Sequence, residues 1–237
     1  MKSGKLSGKS IASGSLQIKF EEVSSSRTKI NIVDGATLRH CVTDFLGGKK
    51  CTVFVGIDPG LSPLTLSLIL RSRSSRRIAS FGIMSAKTDG SWIDQFNRIT
   101  SIALAVKIIL TVVAPINTAI NHWLVLEGYS YGSMRGTFML AELRQGLAGV
   151  FMAAGVAKDV VIVPPATWKA SVCPGLGKIK GKQPIIDCLI AREPELVQFE
   201  KNHNAYDAYA LSRLGEMMYD NNGTGKSFSK LRSATYA

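Results

Sequence analysis

Three acidic residues that lie far apart in the chain each occupy a position from which a carboxylate can do chemistry. Asp58 follows the apolar run 53–57, and Glu127 follows the apolar run 123–126. Both runs have the composition of buried strands, so each acid stands at a strand end, where a rigid scaffold borders a crevice. Asp207 lies in an apolar helical pattern, where an unpaired carboxylate is costly. Together these positions predict one shared site rather than three unrelated turn or surface residues.

The residue types at this site indicate hard-metal chemistry. His203 and Asn204 precede Asp207 by four and three residues, so one helical face presents all three side chains. Oxygen ligands without thiolates suit Mg²⁺ or Mn²⁺ rather than zinc. Two such ions, about 3.5–4 Å apart, activate a water and stabilise the leaving oxygen in phosphodiester hydrolysis.

The elements that must position the acids follow from the apolar patterns. Residues 64–70 and 78–84 read as two strands joined by an arginine-rich turn, and with residues 53–58 they predict an antiparallel meander. Further strands are predicted at 123–127 and 160–163, and helices at 91–113, 137–154, 183–191 and 202–219. This order predicts an α/β fold with a mixed five-stranded sheet flanked by helices.

Composition divides the chain into three parts. Residues 1–49 are predicted to form a basic, largely flexible extension, in which 28–46 has enough apolar residues to form a hairpin or helix. Residues 50–220 carry the predicted strands and helices, and residues 221–237 read as a flexible polar tail. The main folded domain is therefore expected to cover 50–220.

The charge balance favours a polyanionic partner. The 237-residue chain has a net charge of +12, which favours nucleic acid first and an anionic membrane second, with a merely basic surface as the alternative. The apolar stretch 99–116 carries Lys107 at its middle and is shorter than the roughly 20 residues that span a bilayer. It is therefore predicted to be a buried helix, with no membrane partner.

Cysteine spacing and the N-terminus bear on location. The four cysteines show no CxxC pair, which favours free thiols in a reducing intracellular compartment. The N-terminus has no apolar signal region. We expect the cytoplasm or nucleoid of a host cell, with organelle targeting by the N-terminal tail as an open alternative.

Four short motifs in a fixed order resemble a known family. They are Gly-Ile-Asp-Pro-Gly at 56–60, Leu-Glu-Gly at 126–128, Arg-Gln-Gly-Leu-Ala-Gly at 144–149 and Asp-Ala-Tyr-Ala-Leu at 207–211. Their succession over about residues 51–219 resembles the RuvC-type Holliday-junction resolvases of the ribonuclease-H-like nuclease superfamily, in a phage or viral form. The resemblance implies a ribonuclease-H-like sheet and a homodimeric endonuclease that nicks four-way DNA junctions with two Mg²⁺ or Mn²⁺ ions. Helix 137–154 is a candidate for the dimer interface.

The resemblance also assigns roles to the acids. Asp58 looks like the first-strand ligand that bridges both ions, Glu127 like the second-strand ligand, and Asp207 like the last acid of the C-terminal helix. The family has an acid or a histidine where this chain has Asn204, and His203 is one residue earlier. The expected metal ligands are therefore Asp58, Glu127, Asp207 and Asn204, and His203 joins them as an expected catalytic residue.

DNA contacts are expected from two loops. Tyr129 and Tyr131 follow Glu127 in a loop that resembles the family's junction-probing loop, where stacking is worth about 1–3 kcal/mol per base. Ordinary loop packing is the alternative for both tyrosines, and Arg135 is expected to reach a phosphate. The predicted loop 166–182 supplies further expected DNA contacts, with a solvated charge run as the alternative; these are Trp168, Lys169, Lys178, Lys180 and Lys182.

Two other functions remain open from the sequence. One keeps the nuclease and changes the substrate to RNA–DNA hybrids or other branched DNA. The other is a catalytically impaired junction-binding protein, because Asn204 stands where the family has an acid or a histidine.

Overall fold

A seven-stranded mixed sheet forms the centre of the protein, seen in a computed structural model. The structure describes residues 16–23, 30–32, 34–47, 51–60, 63–85, 91–116, 124–128, 137–156, 160–177, 181–199 and 202–222. The strands are β1 (Leu16–Val23), β2 (Ile30–Ile32), β3 (Thr52–Asp58), β4 (Leu64–Arg71), β5 (Arg76–Ser85), β6 (Leu124–Glu127) and β7 (Val160–Val163). The helices are α1 (Gly35–Leu46), α2 (Trp92–Val113), α3 (Thr137–Ala153), α4 (Pro165–Val172), α5 (Gln183–Arg192) and α6 (His203–Asn222), with a 3₁₀ helix at Pro194–Phe199.

The strand order places the ends of β3 and β6 side by side. The order across the sheet is β2-β1-β5-β4-β3-β6-β7. β3, β4 and β5 form the predicted antiparallel meander, while β6 pairs in parallel with β3 on one side and β7 on the other. Because parallel strands end at the same edge, the acids that close β3 and β6 lie at one edge of the sheet. The predicted mixed α/β architecture is confirmed.

The N-terminal part of the chain differs from its prediction. Residues 16–23 form β1, which pairs with β5 along its whole length, and β2 pairs with β1. Ile18 and Phe20 alternate with polar residues and are buried on one face of β1, and Val23 at its end is also buried. The prediction of a largely flexible extension over 1–49 is therefore wrong for 16–23, and the sheet has seven strands rather than five. Within 28–46, residues 30–32 form β2 and residues 35–46 form α1, and the Asp34 side chain caps α1 by accepting a hydrogen bond from the Thr37 N–H.

Helix α2 is part of the core. The Ser91 side chain caps its start, as its position before an acidic first turn allows, and Ile102, Val106 and Ile109 are fully buried. Of the helices in the described part of the chain, α2 is the one long and apolar enough to cross a membrane. Its buried side packs into the main hydrophobic cluster, as predicted for a core helix.

The segment between β7 and α5 also departs from its prediction. Residues 166–182 were expected as a loop, but Pro165 occupies the first position of α4, where a missing N–H costs nothing. Cys173, just after α4, is joined to Cys188 of α5 in a disulfide, whereas Cys41 and Cys51 are free. The expectation of four free thiols is therefore wrong for Cys173 and Cys188, because pairing depends on how α4 and α5 pack. A reducing compartment remains a prediction.

Candidate active site

Asp58 and Glu127 are direct neighbours at the edge of the sheet. The register pairs Ile57 of β3 with Leu126 of β6, so the next residue on each strand is one of the two acids. Burial raises the pKa of Asp58 well above its ordinary value, and the charges of Glu127 and Asp207 raise it further, together with a hydrogen bond to Glu127. The three acids singled out from the sequence therefore lie in one cluster.

A glycine in β3 lets α6 bring Asp207 to this cluster. A Cβ atom at Gly56 would lie within 3.0 Å of the Ala208 carbonyl oxygen and the Ser212 backbone nitrogen. The helix backbone can therefore lie directly on the strand only because no side chain separates them. Asp207, one residue before Ala208, is thereby held at the edge where β3 ends, and its residue is 9% exposed.

Lys182 enters the acid cluster from the start of α5. Its Nζ lies 2.6 Å from Oδ2 of Asp207 and 3.3 Å from Oδ1 of Asn204. Burial lowers the pKa of Lys182, but the hydrogen bond to Asp207 and the charges of the acids outweigh burial, so its pKa is raised. Lys182 therefore stays protonated. The sequence placed it on a DNA-contacting loop, and no local pattern marked it as a partner of the carboxylates.

Trp168 supports Glu127 rather than facing solvent. It is 0% exposed on α4, and its Nε1 donates a hydrogen bond to Oε1 of Glu127 at 3.0 Å. The expectation that Trp168 contacts DNA from a loop is therefore wrong, because the side chain is enclosed in the core. Lys169, the next residue on α4, is half-buried with its Nζ 5.5 Å from the centre of the Trp168 ring system.

The end of β6 is held by a residue of the Arg-Gln-Gly motif. Arg144 on α3 donates from Nη2 to the Gly128 carbonyl oxygen at 2.9 Å. The Gly128 N–H in turn donates to the Val163 carbonyl oxygen on β7 at 2.7 Å. These two bonds fix the backbone directly after Glu127. The motif marked this region in the sequence, but nothing in it predicted this contact.

The other predicted site residues divide into two groups. Asn204 faces Lys182 beside Asp207, whereas His203 is exposed at the first position of α6. The remaining predicted DNA contacts lie outside the described residues; they are Tyr129, Tyr131, Arg135, Lys178 and Lys180.

The charge balance of the cluster suits a cation. Three carboxylates face one ammonium group, and burial, followed by the charges of Glu127 and Asp207, raises the pKa of Asp58. Asp58, Glu127, Asp207 and Asn204 supply the hard oxygen atoms that Mg²⁺ or Mn²⁺ prefers. Within the described ranges, no group of three His, Cys, Asp or Glu side chains is already arranged as a metal-binding cluster. Lys182 Nζ lies 2.6 Å from Oδ2 of Asp207, so this oxygen already has a positively charged partner.

The fold is shared with a solved structure. No protein-family model matches the chain, and no curated protein sequence matches it. The structure of Thermus thermophilus RuvC aligns with a TM-score of 0.51 and 19% sequence identity, over 73% of this chain and 98% of that chain. This chain has the RuvC fold. Thermus thermophilus RuvC in complex with a Holliday junction substrate aligns with a TM-score of 0.48 and 17% identity, over 73% of this chain and 97% of that chain. The alignment with a TM-score of 0.51 confirms the predicted RuvC-like α/β fold.

Proposed function

We propose that the protein is a divalent-cation-dependent endonuclease that cleaves four-way or branched DNA. The observation that carries the proposal is the convergence of Asp58, Glu127 and Asp207 at one buried edge of a RuvC-fold sheet. Carboxylates held this close repel each other, and such an arrangement is typical of a site that neutralises them with bound cations.

The residues of the acid cluster have different proposed roles in phosphodiester hydrolysis. Asp58, Glu127, Asp207 and Asn204 would hold Mg²⁺ or Mn²⁺ through their oxygen atoms. When bound, the cations supply an activated water for attack on phosphorus and stabilise the oxygen that leaves as the P–O bond breaks. The protonated Lys182 provides a fixed positive charge beside the acids, where it can also contact a DNA phosphate.

The number of cations depends on Lys182. Its ammonium group already binds the oxygens of Asp207 and Asn204 that a second ion would use. Two-ion binding, which the sequence resemblance implies, therefore requires Lys182 to move away from Asp207. One cation together with Lys182 is the arrangement that needs the smaller change.

Positive charge and the family resemblance favour DNA junctions as substrates. The net charge of +12 suits a polyanion, and Lys182 directs part of that charge into the cluster itself. Lys169 lies on α4 next to Trp168 and stays a proposed backbone contact. The segments after β6 and before α5 carry the other proposed contacts, which are Tyr129, Tyr131, Arg135, Lys178 and Lys180.

A homodimer would place two sites on the two strands of a symmetric junction. Trp92 is 74% exposed, and Ile93, Phe96 and Leu104 of α2 are also exposed, so α2 presents apolar side chains to solvent. Large exposed apolar side chains on one helix favour a protein interface. Part of α3, which was predicted as the dimer interface, already packs within the subunit, because Gly146 lies against Ile99 of α2.

The proposal is tested with a labelled synthetic four-way junction, in the presence of Mg²⁺, Mn²⁺ or EDTA, with the nicks mapped on each strand. We expect cation-dependent, paired nicks near the crossover, and their loss in Asp58→Asn and Glu127→Gln. Full cleavage by either variant would contradict the assigned site. Flap and RNA–DNA hybrid substrates in the same assay distinguish the alternative nuclease substrates.

A junction-binding protein without catalysis is the second candidate. It is favoured by the Lys182 contacts, since an ammonium group on Asp207 and Asn204 can replace a cation permanently. Such a protein would bind the junction tightly in EDTA and would show no nicking at any Mg²⁺ or Mn²⁺ concentration.

A further inference from the structure

The indole of Trp168 forms a direct bridge from the protein core to the acid cluster. Glu127 ends β6 and is paired in register with Val163 of β7, and α4 begins two residues after Val163. Trp168 thus reaches back past β7 to the end of the neighbouring strand. Its Nε1 lies 3.0 Å from Oε1 of Glu127, and among the described residues Trp168 is the largest side chain with no exposure.

This contact orients the carboxylate without neutralising it. An indole N–H is a donor only, and it carries no charge. It therefore fixes one oxygen of Glu127 while the full negative charge stays available to a cation. Lys182 acts differently on Asp207, because its ammonium group both orients and compensates that carboxylate.

The surroundings of Trp168 keep the donor in place. A fully buried tryptophan cannot change rotamer without opening a large void in a closely packed core. The direction of the N–H is thus set by the fold of α4 on the sheet. Groups that orient a metal-binding carboxylate in this way commonly affect cation affinity or activity by about 10- to 100-fold.

We propose that Trp168 is a positioning residue, which holds Glu127 in the orientation required for cation binding and DNA cleavage. The inference rests on the proposed function for its catalytic part, whereas its structural part concerns only the Trp168–Glu127 hydrogen bond. The aromatic rings of Trp168 fill space in the core, whereas its N–H group contacts Glu127. The N–H group can therefore be tested separately from the packing of the rings.

The test uses the full chain with Trp168→Phe, and with 3-benzothienylalanine at position 168, which keeps the shape of tryptophan but has sulfur in place of N–H. Mn²⁺ binding is measured by electron paramagnetic resonance of the free ion, and junction cleavage is measured as kcat and KM at saturating Mn²⁺. We expect both changes to weaken Mn²⁺ affinity by about tenfold or more and to lower kcat, with KM for the junction unchanged.

The control removes a buried aromatic ring on β5, two strands away from β3. Phe81 of β5 is fully buried and packs on Phe20, so Phe81→Leu is expected to lower the melting temperature and leave the Mn²⁺ affinity unchanged. An equal loss of Mn²⁺ affinity in Phe81→Leu would overturn the proposal, and so would wild-type affinity and kcat in the benzothienylalanine protein.

A double-mutant cycle shows whether Trp168 acts through Glu127. In a Glu127→Gln background, Trp168→Phe should produce no further loss of Mn²⁺ affinity. The same fold loss in both backgrounds would overturn the positioning role. A wild-type protein that binds Mn²⁺ but cleaves no DNA would remove the proposed nuclease function, and the cycle would still decide the role of Trp168. Absence of Mn²⁺ binding in the wild type would overturn both.

Discussion

Asp58 and Glu127 end two adjacent parallel strands, and because Ile57 and Leu126 pair in register, the two acids lie side by side at one edge of the sheet. Burial raises the pKa of Asp58 above its ordinary value, and the neighbouring charges of Glu127 and Asp207 raise it further. A proton on Asp58 relieves the repulsion among these carboxylates, and under the proposed function a bound cation would do the same. Proton binding and cation binding would then compete at this pair, which makes pH a probe of the site.

The first prediction concerns Asp58 and the pH dependence of stability. Because the pKa of Asp58 is raised in the folded protein, the folded state keeps this proton over a range where the unfolded state releases it. The contribution of Asp58 to the free energy of unfolding is therefore complete below the ordinary aspartate pKa, near 3.9. It is lost as pH rises through the raised pKa of Asp58 in the folded protein. In EDTA, Asp58→Asn should therefore gain stability relative to wild type as pH rises above about 4, by about 1.4 kcal/mol for each pH unit over which the folded protein alone keeps this proton. Urea unfolding at stepped pH measures the difference, and a difference that stays constant would contradict the assignment.

The second prediction concerns the positive charge inside the cluster. Lys182→Met leaves Asp207 without its ammonium partner. We expect the free energy of unfolding in EDTA to fall by about 1–2 kcal/mol, since this pair is neither fully buried nor fully exposed. Added Mg²⁺ should reduce the loss, because a cation can take over the compensation of charge. Thermal unfolding with and without Mg²⁺ tests this, and Lys107→Met on α2 is the control for loss of a lysine elsewhere. An identical loss under both conditions would count against cation binding at Asp207.

The third prediction concerns the close approach of α6 to β3. A methyl group at Gly56 meets backbone atoms of Ala208 and Ser212, so Gly56→Ala must push the helix away from the strand. We expect destabilisation of about 3 kcal/mol or more, together with lost cleavage, because Asp207 moves with the helix. Gly149→Ala is the matched control, since nothing lies within 4 Å of a Cβ at this helical position. The control should stabilise the protein by up to about 1 kcal/mol. A stable, fully active Gly56→Ala protein would contradict the packing described here.

The fourth prediction concerns a buried ion network near the other end of α6. Glu216 is 1% exposed, and its carboxylate binds Arg76 at 3.0 Å and Arg213 at 2.6 Å. Burial raises the pKa of Glu216, but the hydrogen bond and charge of Arg76, with the charge of Arg213, outweigh burial and lower it. The contribution of Glu216 to the free energy of unfolding is therefore present above the ordinary glutamate pKa. It is lost as pH falls through the lowered pKa of Glu216 in the folded protein.

Replacement of this carboxylate should be costly. Glu216→Gln is expected to destabilise the protein by about 3–5 kcal/mol at neutral pH, because it leaves arginine charge without its buried partner. Asp220→Asn is the control, because Asp220 binds Arg71 with its side chain 49% exposed and should change stability by less than about 1 kcal/mol. Urea unfolding of both variants at neutral and acid pH makes the comparison. Equal effects of the two substitutions would contradict the importance of burial.

Local patterns were sufficient for the acids and for most of the elements. Asp58, Glu127 and Asp207 could be found because a carboxylate at a strand end, or in an apolar helical pattern, is unusual within its own few neighbours. The meander, α2 with its Ser91 cap and the last helix were predicted for the same reason, since periodicity and capping are local properties. β1 was missed, because its apolar/polar alternation covers only residues 16–20 and lies next to a segment rich in serine, glycine and lysine.

By itself, the sequence determined which carboxylates are candidate metal ligands. It also determined that these ligands are oxygen atoms, which prefer Mg²⁺ or Mn²⁺ to zinc, because ligand preference follows from residue type. Only the tertiary structure decided that Lys182 compensates Asp207 and that Trp168 holds Glu127. Both partners come from α4 and α5, whose placement depends on long-range packing, and so does the pairing of Cys173 with Cys188. A contact between distant elements depends on how their surfaces pack together, and the residue spacing within either segment does not predict that packing.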